Sequence, residues 1–582
     1  MEKRRDIRKT IAACIVICLL QAAILFVNYH DFNIRYPMLY GDADIMAVFC
    51  YAKSIDEFGI TLENPMLGGR TGFDMYDYPY SDSLSFLLVK GIGLFTDNPF
   101  LIINLFFFLC SFLTAVIAFL VLQKYLDSTV LCAALGLLYA NTFFYQMRYV
   151  HMWLVPYFLL PVACSLAIDI IDGRIVPEGC RVWRSRSFYK ALVLAFCCAF
   201  TGLYYAYFTC ALLAAALVIR CINAGRIRGN LYPVFLIGAT LTGVLLSILP
   251  NLLYWSRNGT NPESELALRS GYETELYGLR LVQLFLPRYQ HRIGALASLT
   301  DHYKTTYPYV NENETVSLGL IASIGCIIGI VWLFANGKKV KKTYSWLILS
   351  VFLITTIGGI GTMISLFVDI PVRCYCRMSL MITFLSLLCL GTFLERILRG
   401  RPGWILAVIS VVILCVGIFD QTRSDGGNGY GVSDYSDGIE KTRAYFQEIE
   451  SDVGAGSYVF ELPYVRWPSG MYYRLFKGYM FTDDIHWSFG AMQGREEARW
   501  QEQTASLGTG DMVAELLKNG YDGIYVDVAA YNALVGEGAF DRLRDELDDL
   551  LQTEPIVDEG GSQYFWNLKN SGLASAGTDQ AA

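Results

Sequence analysis

The stretch DQTRSDGGNGYGVSDYSDG, residues 420–438, divides the chain into two parts of different chemistry. Gly, Ser, Asp and Asn crowd it, residues that favour turns and offer no apolar face to pack, so it reads as a linker. The charge changes sign across it. Residues 421–582 hold 12 Lys and Arg against 27 Asp and Glu, which leaves 34 and 26 for residues 1–420 (46 − 12 and 53 − 27).

Upstream of the linker the chain is apolar. The whole sequence of 582 residues is 54% hydrophobic and 17% charged, with a mean hydropathy of +0.39, outside the range of soluble multidomain proteins. Runs long enough to cross a bilayer core of about 30 Å fall near 11–28, 99–122, 128–145, 150–171, 231–255, 316–335, 344–368, 374–394 and 402–420. The run 188–222 is flanked by Arg or Lys at both ends, which predicts two short helices turning at Gly202 rather than one span. The expectation is a polytopic α-helical membrane protein of about 11 transmembrane helices. MEKRRDIRK ahead of the first run has the form of a signal anchor with a cytoplasmic N-terminus. NGKKVKK (336–342) and ERILRGRP (395–402) then fall inside, and the loops 29–98 and 256–315 fall outside with the acidic C-terminal part. The 16 Cys lie between residues 14 and 415, mostly within apolar runs where Cys packs as a small hydrophobe.

Downstream of the linker, helix and strand signals alternate. GSYVFELP and YDGIYVDV read as buried strands, GDMVAELLKNG as an amphipathic helix closed by Gly520, residues 538–552 as a second helix, and PIVDEGGSQYFWNL as a hairpin. The predicted organisation is a membrane domain over 1–420, a linker over 421–436, a small extracytoplasmic α/β domain over 437–570 and a disordered tail over 571–582. No nucleotide fingerprint or nucleophile elbow occurs in it, and nothing points to nucleic acid.

The polar residues that carry chemistry cluster in the outer loops. LYGDADIMAVFC (39–50) sets Asp42 and Asp44 directly after the first span, and YDYPYSDSLSFLL supplies Asp77 and Asp82. MRYVHMW supplies Arg148 and His151; PRYQHRIG supplies His291 and Arg292; NENETVSLGL supplies Glu312 and Asn313; PVRCYCRM supplies Arg373 and Arg377. Acids, arginines and a histidine at one membrane face suit a reaction in which a carboxylate takes a proton from an acceptor hydroxyl while cations hold a phosphate leaving group. The same acids also suit solvated loop charges, and the arginines suit headgroup anchors.

The order of parts, an N-terminal span, an outer loop opening with acids, many further spans and a C-terminal α/β domain, resembles the C-type (GT-C) membrane glycosyltransferases. YDYPYSDSLSFLL, ELYGLRLVQLFLP, NENETVSLGL, PVRCYCRMS and WSFGAMQGREEARWQ resemble a bacterial group of sugar transferases and translocases over most of the chain. Where that group's loop often reads Gly-Asp-Asn, this chain has Ser81, Asp82 and Ser83.

The resemblance implies a multi-pass plasma-membrane enzyme that moves a sugar from a polyprenyl-phosphate carrier to an extracytoplasmic glycan acceptor such as a cell-surface polysaccharide. The family's acid pair maps onto Asp42 and Asp44: Asp42 as base, Asp44 at a helix N-terminus either orienting the acceptor or helping to hold a divalent cation (Mg2+ or Mn2+). Asp77, Asp82, Arg148, His151, His291, Arg292, Glu312, Asn313, Arg373 and Arg377 are the candidate substrate-binding residues. The alternative is a non-catalytic membrane protein that translocates or scaffolds envelope glycans, which predicts broken helices in repeated halves.

Overall fold

The computed structural model describes residues 7–41, 44–78, 82–177, 181–227, 229–263, 271–335, 342–368, 372–422, 434–470 and 472–571. Six helices among them are long and apolar enough to cross a membrane: α1 (Ile7–Tyr29), Pro99–Leu122, Met152–Ile171, Leu203–Ala224, Tyr375–Ile397 and Gly403–Gln421. A seventh span forms if Pro233–Ser247 and Leu249–Asn258, bent by 53°, are taken together. Ser83–Gly93, Gly319–Phe334 and Lys342–Thr355 are apolar but shorter.

The expectation of eleven spans is therefore not reproduced. Apolar runs were counted as whole spans where local chemistry interrupts the helix. The run 128–145 yields a helix only over Thr129–Ala140, because the Asn141 amide turns to α1, bonding Gln21 Oε1 at 2.7 Å, and Thr142 caps a new short turn over Phe143–Gln146. Near Gly202 the chain does break: the helix Arg186–Cys197 ends in a tight turn, and Leu203–Ala224 begins after Gly202 at φ +116. The positive φ is what requires glycine at 202; a Cβ there would also meet Asp82 Oδ1 at 2.6 Å, so that side chain would have to yield.

After the linker the chain builds a mixed five-stranded sheet in the order β4-β3-β5-β7-β6. A two-residue pair in the first loop, β1 (Glu63–Asn64) and β2 (Phe73–Asp74), precedes it. β3 (Tyr458–Leu462) runs parallel to β4 (His486–Trp487) and to β5 (Gly523–Asp527). β7 (Gln563–Asn567) is antiparallel to β5 and to β6 (Ile556–Val557). The two strands, two helices and hairpin read from the sequence are all present, with Gly520 at φ +73 after Thr509–Lys518. The strand β4 and the helix Ser436–Val453 are additions that sequence pattern did not reveal.

Alternation along the strands gives the sheet two different faces. Phe460, Leu462, Ile524, Val526 and Trp566 pack on Met512, Val513, Leu516, Leu543 and Leu547, a core belonging to this domain alone. Val459, Tyr525 and Phe565, on the other face, join through Phe446, Tyr479 and Trp487 the same apolar core that runs into the membrane part. The edge strand β4 is not bare either. Trp487 N donates to Met66 O at 2.9 Å, Gly69 N to Trp487 O at 2.9 Å and Gly68 N to Phe489 O at 2.8 Å, so main chain of the first outer loop covers the sheet edge.

The strongest tie across this junction is ionic. Arg495 donates Nε to Asp77 Oδ2 at 2.7 Å and Nη2 to Oδ1 at 2.8 Å, and Trp255 Nε1 and Asn261 Nδ2 fill the remaining acceptor positions at 3.1 and 3.0 Å. Asp77 is fully buried by these partners. Removing one partner of such a pair leaves an uncompensated charge, so Arg495→Met should cost the full chain about 3–5 kcal/mol of stability. Arg495→Lys should recover less than half, since an ammonium does not fork. Chemical unfolding of the purified full chain measures both; an unchanged midpoint in Arg495→Met removes the strap from the account of the fold.

Candidate active site

The candidate residues arrive on four short turns at the membrane face that carries the α/β domain. Arg148 follows the turn Phe143–Gln146, and His151 precedes Met152, where a span begins. Glu312 opens the turn Glu312–Val316, held by Asn311, whose side chain accepts from Asn313 N. Arg377 lies in the turn Tyr375–Met378 that leads into Ser379–Ile397. Asp44 begins α2 (Asp44–Phe58), where free amides favour a carboxylate.

Folding brings five of them together. Arg377 grips Glu312 with both prongs, Nε to Oε1 at 2.7 Å and Nη2 to Oε2 at 2.8 Å. Arg148 Nη2 lies 2.9 Å from the same Oε1 and donates to Thr315 Oγ1 at 2.7 Å. Each guanidinium also rests on an aromatic face, Arg148 on Phe144 at 4.1 Å and Arg377 on Tyr204 at 4.3 Å. Burial alone would raise the Glu312 carboxyl, but Arg377 and Arg148 outweigh it and hold the group well below the usual carboxylate range. His151 Nε2 stands 3.5 Å from Asp44 Oδ2, whose side chain is 46% exposed. Burial first, then Arg148, pushes the His151 imidazole down to about 4. The cluster thus combines an accessible carboxylate, a neutral imidazole and two arginines sharing one acid.

Two polar atoms in this cluster have no hydrogen-bond partner among the described residues, Arg148 Nε and His151 Nδ1. Buried polar atoms are normally paired, and these two, a donor at Arg148 Nε and a ring nitrogen at His151 Nδ1, are exceptions. Asp42 lies outside the described residues. Among those that are described, no group of three His, Cys, Asp or Glu side chains converges as a metal site requires.

The other predicted site residues are placed elsewhere. Asp77 is consumed by the junction with Arg495 described above, a structural duty that a solvated-looking loop acid does not announce. Asp82 lies across from Gly202, and burial pushes its carboxyl up to about 7. His291 and Arg292 secure their loop to the end of the last span: His291 Nε2 lies 3.3 Å from Asp420 Oδ1, and Arg292 donates Nε to Thr422 O at 2.9 Å and Nη2 to Thr422 Oγ1 at 3.0 Å. Asn313 is fully buried, accepting from Gln283 Nε2 at 2.8 Å and donating to Leu276 O and Tyr309 O, both at 3.4 Å. Arg373 pairs with Glu273 at 2.7 Å at the rim of the cluster. Thr315, Tyr204 and Glu273 are the contributors that sequence reading missed. Each is an ordinary loop or helix residue until its partner is known.

Comparison with known proteins follows from this geometry. A family model described as a domain of unknown function, DUF6311, matches residues 80–372. No curated protein matches the chain. Among solved structures, the chain is similar to the Archaeoglobus fulgidus oligosaccharyltransferase in its apo form, with 10% identity, a TM-score of 0.48, and coverage of 92% of this chain and 72% of that one. It is similar to ArnT from Cupriavidus metallidurans bound to undecaprenyl phosphate, with 10% identity, a TM-score of 0.41, and coverage of 95% and 97%. It is also similar to the arabinofuranosyltransferase AftD from Mycobacteria, with 13% identity, a TM-score of 0.38, and coverage of 88% and 36%. These neighbours are membrane glycosyltransferases of the type that the sequence resembles.

The His151 environment has a measurable consequence. Between pH 6.5, where an unhindered imidazole titrates, and about 4, the unfolded chain binds a proton that the folded one does not. Stability contributed by the neutral ring is therefore complete above pH 6.5 and is lost as pH falls through that window. Denaturation midpoints at pH 7 and pH 4.5 should fall further apart in the native chain than in His151→Gln. Equal differences in the two proteins would show that His151 titrates normally.

Proposed function

Because the chain belongs to the DUF6311 family, which is defined by a domain of unknown function, its activity has to be argued from its own site, and from that site we propose that it is a membrane glycosyltransferase moving a sugar from a polyprenyl-phosphate carrier to a hydroxyl of an extracytoplasmic glycan. The observation that carries the reading is the juxtaposition of an exposed carboxylate, Asp44, with a neutral imidazole and the arginine pair, at the ends of apolar spans. The sequence reading gives the base to Asp42, which lies outside the described residues; here Asp44, beside His151, takes the proton of the attacking hydroxyl. His151, held neutral, stands with Nε2 3.5 Å from Asp44 Oδ2 and leaves that carboxylate uncompensated by a neighbouring imidazolium, free to act as the base. Arg148 Nε, buried and without a partner, donates to a phosphate oxygen as the sugar–phosphate bond breaks, and Arg377 and Glu312 fix the plane of that guanidinium. Both arginines share Glu312, so in this reading they act on phosphate through direction more than through net charge.

The basic N-terminal segment and basic inner loops support an orientation with the N-terminus cytoplasmic and the α/β domain outside. The acceptor would then be a glycan of the bacterial cell surface. The translocating alternative expects broken helices in repeated halves; among the described residues one pair is bent. That bend has a local cause, since Pro250 stands in the first turn of Leu249–Asn258 and cannot donate a helical hydrogen bond across the break.

The test is turnover of a panel of polyprenyl-phosphate sugars by the purified full chain, followed as loss of carrier-linked sugar. Asp44→Asn should lower turnover by about 100-fold or more with carrier binding and unfolding midpoint retained. Arg148→Met should weaken carrier binding. Full turnover in Asp44→Asn excludes it as the base, and absence of turnover with every donor rejects the transferase reading.

A further inference from the structure

The second helix, α2, is wedged between the two parts of the molecule, and its N-terminal residue is Asp44. On its membrane side Phe49 meets Phe100 edge to face at 4.9 Å. The chain leading into it is tied to the membrane part as well. Asn104 Nδ2 donates to Ile34 O and Tyr36 O, both at 2.8 Å, and Tyr149 Oη accepts from Met38 N at 3.1 Å. On its other side α2 meets the α/β domain through one buried cation. Lys53 Nζ donates to Tyr479 O at 2.8 Å and Thr482 O at 2.6 Å, beside the short helix Lys477–Phe481, and lies 3.5 Å from Glu57 Oε1. Tyr479 Oη closes the arrangement by donating to Glu57 Oε2 at 2.6 Å.

Apolar contacts are less directional than hydrogen bonds, and two short hydrogen bonds from a buried ammonium fix the helix sharply both along and about its axis. Lys53 lies nine residues beyond Asp44, about 14 Å down a rigid helix, so its seat on the α/β domain sets where Asp44 stands relative to His151. We infer that Lys53 is a positioning residue: it uses the α/β domain as the abutment that holds Asp44 against His151. The inference deepens the transferase reading, and rests on it for the importance of Asp44, though not for the geometry.

The experiment therefore reads apposition without requiring turnover. In the full chain, the pair Asp44→Cys and His151→Cys is treated with dibromobimane, which fluoresces only when it joins two thiols, and the linked peptides are quantified by mass spectrometry. Adding Lys53→Met should lower the yield at least threefold, and Lys53→Arg, whose guanidinium reaches both carbonyls, should restore it to within twofold. Tyr479→Phe, a gentler change that removes only the hydroxyl bond to Glu57, should give an intermediate yield and serves where Lys53→Met does not fold. An unchanged yield in Lys53→Met, or in Tyr479→Phe in that event, overturns the inference. With native Asp44 and His151, Lys53→Met should lower kcat at least tenfold and leave KM for the carrier within twofold. Loss of apposition in a chain that turns over no donor would sink the transferase reading and leave the positioning role standing.

Discussion

One carboxylate, Glu312, holds the candidate site together. It is almost fully enclosed, and a carboxylate removed from water survives as an anion only if its lone pairs are met by charge and by hydrogen bonds at once. Arg377 supplies a fork and Arg148 a second cation on the shared oxygen. Satisfying that single acid forces three distant segments to one place: the turn before the Met152 span, the loop that opens at Glu312, and the first turn of the helix at Arg377. The rest of the site follows. Burial first, and then the committed Arg148, lower the basicity of His151, which stands beside Asp44. Stacking of both guanidiniums on aromatic faces leaves their in-plane edges as the directions in which hydrogen bonds are made.

The α/β domain belongs to this construction. Its edge strand is completed by main chain from the first outer loop, one of its two cores is shared with the membrane part, and Arg495 closes on Asp77 beneath it. A sheet edge left unpaired and a face left uncovered would both be liabilities for a free domain. Here the same surfaces are used to immobilise the loop that delivers Asp44. Attachment and positioning are thus one set of contacts.

What could be read from the sequence divides along a physical line. Signals generated within a few residues were legible: apolar runs for the spans, alternation for β3 and β5, Gly520 closing a helix, Gly202 breaking one. Signals generated by partners far along the chain were not. Arg148 and Glu312 are 164 residues apart (312 − 148), and Asp77 and Arg495 are 418 apart; nothing local separates the acid that anchors a domain from the acid that serves a site. The count of eleven spans is not confirmed among the described residues for the same reason. A run of apolar residues announces burial, but whether it stays one helix also depends on polar side chains such as Asn141, whose partner lies on another element. His151 and Arg148 were recognisable as residue types at a membrane face, whereas the sharing of Glu312 between two arginines was not.

That sharing also determines what kind of ligand the site accepts. Arg148 and Arg377 carry two positive charges, Glu312 and Asp44 two negative ones, Arg373 and Glu273 cancel at the rim, and His151 is neutral, so the described groups sum to zero. A site with no surplus charge does not collect anions by long-range attraction. It selects by direction: the donor left open is Arg148 Nε, buried and fixed in plane by Glu312 and Phe144. On the transferase reading proposed above, a carrier anchored in the bilayer is already concentrated at its surface and reaches the site without electrostatic capture, which would leave the arginines to act when charge develops on the leaving oxygen.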